Sequence, residues 1–207
     1  IASFKPAFDD IMQAAGGAVG LVAQKYGEPD FMPTLLADKI AAMAVANAVL
    51  AAIVHRERSG RGQYVEVPMF ETFVDFMLAE HMGGMSFEPQ EAPAGYRRLT
   101  GAGRRLLPTQ DGHVVALPYT IEQWRAFFDA VGRPDVLPGL GVRGRAEVNA
   151  KAGELYGEVA KITPSRTTRQ WLELFERLDI AATEPYSLDE VREHPHLREV
   201  ELFRVEQ

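Results

Sequence analysis

Apolar positions along the chain recur mostly with a helical period. Ile11, Met12, Ala14 and Ala15 predict a short buried helix, stopped by Gly16 and Gly17. Residues 26–33 carry two prolines and a glycine and read as turn. Residues 35–58 predict the longest helix. It is apolar on every side (Ile40, Met43, Val45, Val49, Leu50, Ile53, Val54), which predicts burial in a large core or an interface. His55, Arg56 and Arg58 fall in its last turn, at the negative end of the helix dipole, and Gly60 and Gly62 end it. Residues 64–67 read as a short strand. Phe70, Phe73, Val74, Met77, Leu78 and His81 then return to helical spacing as far as Met82.

Residues 83–103 change character: glycine and proline replace large apolar residues, which predicts a linker between a first domain, 1–82, and a second, 104–207. Residues 104–109 and 114–117 flank Asp111-Gly112 and predict a hairpin. Thr120 with Gln123, and Thr167 with Gln170, form capping boxes ahead of helices faced by Trp124, Phe127 and Phe128 and by Trp171, Leu172 and Phe175. One helix is expected over 145–162, and Ser187 with Glu190 starts another short one. The whole is an α/β chain whose second half is a small α+β module.

Composition narrows the function. Of 207 residues 46% are hydrophobic and 25% charged, ordinary values for a globular protein. The net charge is −7, which disfavours nucleic acid as a partner. The chain has no cysteine, so a thiolate nucleophile and a Cys-ligated metal are excluded, and a reducing, cytoplasmic setting is expected. The longest apolar run, 40–54, is shorter than the ~20 residues of a membrane span, so no membrane association is expected. The first residue is Ile1 rather than Met, and the chain is expected to be a piece of a longer one.

Candidate chemistry is sparse. The five histidines show no metal-ligand spacing, and no metal site is expected; His194 and His196 straddle a proline in a surface turn. Gly60-Arg61-Gly62-Gln63 follows a helix and precedes a strand, the wrong order for a phosphate cradle. Asp38 is the unusual residue, a carboxylate near the start of an apolar helix, where the dipole and free N–H groups favour negative charge. Its position allows two readings: a charge that merely stabilises the helix, or an ionised nucleophile. Asp9 and Asp10 are adjacent and do not face each other, so they form no acid/base pair; Asp9 is expected to cap the helix that follows it.

The run LADKIAAMAVANAVLAAIVHRERSGRGQYVEV, residues 36–67, resembles the family III (CaiB/BaiF) CoA-transferases. Those carry an Asp, an alanine- and leucine-rich helix, and an (S/T)-G-R-G-Q turn at the spacing seen from Asp38 to Gln63. PAFDDIMQAAGGA, residues 6–18, is similar to the family's P-(A/G)-(Y/F)-D-x-x-x-Q-A segment. Pro108-Thr109-x-Asp111-Gly112, Trp124 with Gly132-Arg133-Pro134, and Trp171-Leu172 resemble its downstream motifs in order.

The resemblance implies a CoA-transferase that moves CoA from an acyl-CoA to a carboxylic acid. It assigns Asp38 as the nucleophile, forming a mixed anhydride and then an aspartyl-CoA thioester. It places Phe8 and Asp9 in the CoA-thioester region, and CoA is then a substrate with no permanently bound cofactor. It also implies an interlocked homodimer. Racemases of the same superfamily are the alternative, but they carry His where this chain has Phe8, and Phe8 cannot exchange a proton. A second alternative is an inactive piece serving only dimerisation. Family members are about twice this length, and the nucleotide-binding segment that opens them is not in these residues. Gly101-Ala102-Gly103 is a candidate for the glycine-rich loop some members close over the site. Arg97, Arg98, Arg104 and Arg105 are candidates for a dicarboxylate or CoA phosphates, or a solvated basic face.

Overall fold

The computed structural model describes residues 6–101 and 103–204, so Ala102 of the candidate glycine-rich loop lies outside the described residues. Two compact units divide the chain, the first ending at Gly101.

The first unit is helical: α1 (Asp9–Ala15), α2 (Ala18–Tyr26), α3 (Leu36–Ser59), α4 (Met69–His81) and the single turn α5 (Arg97–Thr100). Its core is small. Met12, Ala18, Ala37, Phe73 and Met77 are buried together, with Leu21, Leu36, Ile40, Met69 and Phe70 packed around them. Gly16 lets α1 approach α4, because a Cβ there would stand 2.5 Å from the Phe73 ring. Gly17 has φ +94°, and this left-handed residue turns the chain from α1 into α2, a helix the apolar pattern did not reveal. After α4 the chain folds back on it: His81 Nδ1 accepts from Tyr96 N at 3.0 Å, and His81 O from Gly95 N at 2.8 Å.

One expectation is narrowed and another corrected here. The apolar helix α3 is not buried within these residues: only Ala37 and Ala41 are, while Met43 is 70% and Leu50 61% exposed, which removes the core reading and leaves the interface one. It packs on α1 and α4 along a face that runs through Ala37, Ala41, Ala44, Ala48 and Ala52, while its large apolar residues from Met43 to Val54 are exposed. With 24 residues, α3 is also long and apolar enough to cross a membrane by length and composition, which the run 40–54 alone did not suggest. The correction concerns 64–67. This segment forms no strand among the described residues, and Tyr64 is 86% exposed. β-propensity without a neighbouring strand makes no ladder.

The second unit is the α+β module. Strands β1 (Leu107–Pro108), β2 (His113–Leu117) and β3 (Ala181–Thr183) form an antiparallel sheet in that order, with Leu107 opposite Val114 and Ala116 opposite Ala182. Helices α6 (Ile121–Ala130), α7 (Val136–Gly139), α8 (Arg145–Ala150), α9 (Ala152–Ile162), α10 (Thr168–Arg177), α11 (Leu188–Val191) and α12 (Pro195–Glu199) complete it. Trp124, Phe127, Phe128, Leu155, Trp171 and Phe175 are the buried centre, and Trp171 donates its indole N–H to Thr163 O at 2.6 Å.

The capping boxes at Thr120, Thr167 and Ser187 are all formed. The helix expected over 145–162 is two, broken at Lys151, whose backbone leaves the helical region and whose ammonium bonds Leu140 O. Strand β3 has three residues and no alternation, too little for the sequence to announce.

Candidate functional site

Asp38 is the third residue of α3 and is half-buried. The residue before that helix is Leu35, which has no side-chain acceptor for the N–H groups that every helix start leaves open. A carboxylate from elsewhere in the chain supplies it. Asp9, the first residue of α1, is 3% exposed, and its Oδ1 accepts from Asp38 N at 3.1 Å; the N–H groups of Ala37 and Leu36 beside it also favour its charged form. Asp9 therefore caps a helix, but α3 rather than the α1 it opens.

Gln13 lies one turn along α1 and holds Asp9 in place. Its amide N–H donates to Asp9 Oδ2 at 2.6 Å and to Thr34 O at 3.0 Å, while its Oε1 accepts from Met32 N at 2.9 Å. The loop ahead of α3 and the first turn of α3 are thus both tied to one face of α1. Burial pushes the Asp9 carboxyl up. The Gln13 amide and the backbone N–H groups of Asp38, Ala37 and Leu36 outweigh it and hold the group below the usual carboxylate range.

The Asp38 carboxylate, in contrast, has no hydrogen bond or ion pair among the described residues. Phe8 caps α1 only through its extended backbone; its ring is 74% exposed, so it is not a core residue. Sequence reasoning missed Gln13. The signal was the i, i+4 spacing from Asp9, which puts both side chains on one helical face.

Elsewhere, His194 caps α12, its Nδ1 accepting from His196 N at 3.2 Å. No cluster of three or more His, Asp or Glu able to hold a metal occurs among the described residues. An open groove of ≈ 590 Å³ in the second unit, lined by Arg169, Glu173, Glu176 and Tyr186 among others, contains none of the candidate residues.

A helical unit that sets a lone carboxylate at the start of a long apolar helix, followed by a small α+β unit, matches one family throughout. The model of CoA-transferase family III matches residues 2–206, and the chain belongs to that family. Among its relatives, the probable fatty acyl-CoA transferase Rv3272 of Mycobacterium tuberculosis is 27% identical over 96% of this chain and 53% of its own length. Succinyl-CoA:mesaconate CoA-transferase of Haloarcula marismortui is 30% identical over 96% of this chain and 50% of its own. The crystal structure of Rv3272 superposes with a TM-score of 0.76 at 24% identity, covering 96% of this chain and 52% of that one. A CaiB/BaiF family protein from Brucella suis gives 0.72 at 19% identity, covering 94% and 52%. This chain spans about half the length of the relatives it matches.

Proposed function

We propose that the protein containing this chain transfers CoA from an acyl-CoA donor to a carboxylic acid, with Asp38 as nucleophile. The observation that carries the reading is the Asp38 carboxylate itself: fixed at its backbone, unpartnered at its oxygens, and set at a helix N-terminus in a family of CoA-transferases. An Asp38 oxygen attacks the thioester carbonyl, expelling CoA thiolate and leaving a mixed anhydride. The thiolate then attacks the aspartyl carbonyl and releases the donor acid. The acceptor carboxylate attacks the resulting aspartyl-CoA thioester, and thiolate returns to the acceptor's acyl carbon, freeing Asp38. Each step exchanges one acyl bond for another and needs no metal or redox partner. Phe8, exposed beside Asp9, offers a surface for the thioester region and no proton, which favours transfer over racemisation.

The exposed apolar face of α3 fits a helix covered by protein, and a homodimer with a larger first domain is the cover we propose. The same face supports a second reading, a module that serves only assembly. One experiment separates the two. The chain, and the full reading frame that encodes it, are incubated with succinyl-CoA and hydroxylamine, and the modified peptide is mapped by mass spectrometry. A hydroxamate at Asp38, absent in Asp38→Ala, is the expected result. No adduct in either form across a panel of acyl-CoA donors, with CoA binding shown separately, overturns the nucleophile.

A further inference from the structure

Four helices of the second unit show what the third helical residue does when it is polar and left to itself. Gln123, Glu147, Gln170 and Glu190 each turn back and accept from the backbone N–H three residues earlier, at Thr120, Gly144, Thr167 and Ser187. Asp38 stands at this same position, three residues after the residue that precedes α3, yet its side chain makes no such bond. The Asp38 side chain is one methylene shorter than Gln or Glu, and the first turn of α3 is held from outside instead: the N–H of Asp38 itself donates to Asp9, a residue 29 positions away in sequence.

We infer that Asp9 is a positioning residue for the nucleophile: by capping α3 from outside, it fixes the backbone from which the Asp38 carboxylate projects. The inference rests on the reading of Asp38 as nucleophile. Three features support it independently. Asp9 is almost fully buried, so its carboxylate is turned away from any ligand. Both its oxygens are engaged, Oδ1 by α3 and Oδ2 by Gln13. Gln13 in turn fixes Met32 and Thr34, so the approach to α3 cannot shift without breaking the same network.

The test uses the full reading frame and succinyl-CoA as donor, with hydroxylamine trapping followed in time. Asp9→Asn keeps the size of the side chain but loses the charge and turns an amide N–H toward that of Gln13. Labelling of Asp38 should slow by about 100-fold, the loss expected when a reacting group is misplaced by about 1 Å. The donor concentration giving half the maximal rate should not change. Adding Leu35→Asp to Asp9→Asn restores a carboxylate directly before α3 and should recover most of the rate.

Undiminished labelling in Asp9→Asn overturns the inference. So does a loss carried by the half-saturating concentration, which would make Asp9 a substrate contact, or a failure of Leu35→Asp to rescue a folded Asp9→Asn protein. Amide hydrogen exchange reads the cap without any chemistry: Leu36, Ala37 and Asp38 should exchange faster in Asp9→Asn and not in Asp38→Asn, and the reverse pattern overturns the assignment. A wild-type protein never labelled at Asp38 overturns the nucleophile and the positioning role together, while the exchange data still report separately whether Asp9 caps α3.

Discussion

Gly16→Ala adds one methyl group to the tightest contact in the first unit. The new Cβ would lie 2.5 and 2.6 Å from two ring carbons of Phe73 and 2.9 Å from the carbonyl oxygen of Met12. Ordinary contact begins near 3.4 Å, so ring and helix must part by about 1 Å. Phe73 is fully buried and α1 is tied to α3 through Asp9, which leaves little room to give. Overpacking of this kind costs about 1–3 kcal/mol.

Gly16 has φ −90°, so alanine meets no backbone strain and recovers about 0.4–1 kcal/mol by restricting the unfolded chain. The net expectation is a loss of about 1–2 kcal/mol. Two neighbours serve as controls. Gly17→Ala meets no atom but sits at φ +94° and should lose about 1 kcal/mol. Gly20→Ala, open on all sides within α2, should gain about 0.5–1 kcal/mol.

The assay is urea unfolding followed by two signals. Both tryptophans, Trp124 and Trp171, belong to the second unit, so their fluorescence is an internal reference while far-UV circular dichroism also follows the helical unit. With a slope of about 1–2 kcal/mol per molar urea, Gly16→Ala should lower the dichroism midpoint by about 1 M. The fluorescence midpoint should not move. A Gly16→Ala midpoint at or above wild type would refute the close packing of α1 on α4.

Two further outcomes are expected. Trp171→Phe keeps the ring packing but strands the carbonyl of Thr163, which accepts the indole N–H, and should cost the second unit about 1–3 kcal/mol by thermal or urea unfolding. Asp111 accepts from the backbone N–H and hydroxyl of Thr168, and from Thr109, which hold its carboxyl below the ordinary value of 3.8. A lowered folded value means this contact stabilises fully above about pH 4 and is lost as pH falls further. Acid unfolding followed by tryptophan fluorescence should therefore begin at higher pH in Thr168→Ala; an unchanged profile would remove Asp111 from the account.

The sequence disclosed most where the determinants are local. Thr120 with Gln123, Thr167 with Gln170 and Ser187 with Glu190 each lie within one turn, so the residues that satisfy a helix start are neighbours and can be read directly. Asp111-Gly112 announced the hairpin for the same reason. It disclosed least where a partner comes from far along the chain. Asp9 caps α3 and Asp111 caps α10, and neither helix carries a sign of the other in its own residues. Hydropathy left α3 undecided between a core and an interface: its apolar residues show that the helix wants cover, but not whether these residues provide it. At the site, Asp38 was visible as a carboxylate out of place, whereas Gln13 acquires meaning only once α1 and the loop before α3 are side by side.

The distant cap has a consequence for how the site comes into being. A helix whose start is satisfied by its own sequence can form early and alone, but α3 cannot: its first turn is completed only when α1 has docked and Gln13 has gathered in the intervening loop. A peptide spanning α3 by itself would fray at its first turn, where Leu35 offers no side-chain acceptor. The placement of Asp38 is then a late product of folding, set only once the surrounding helices have assembled. The stretch between α2 and α3, relieved of any capping duty, is free to vary in sequence while the placement of Asp38 stays under the control of α1.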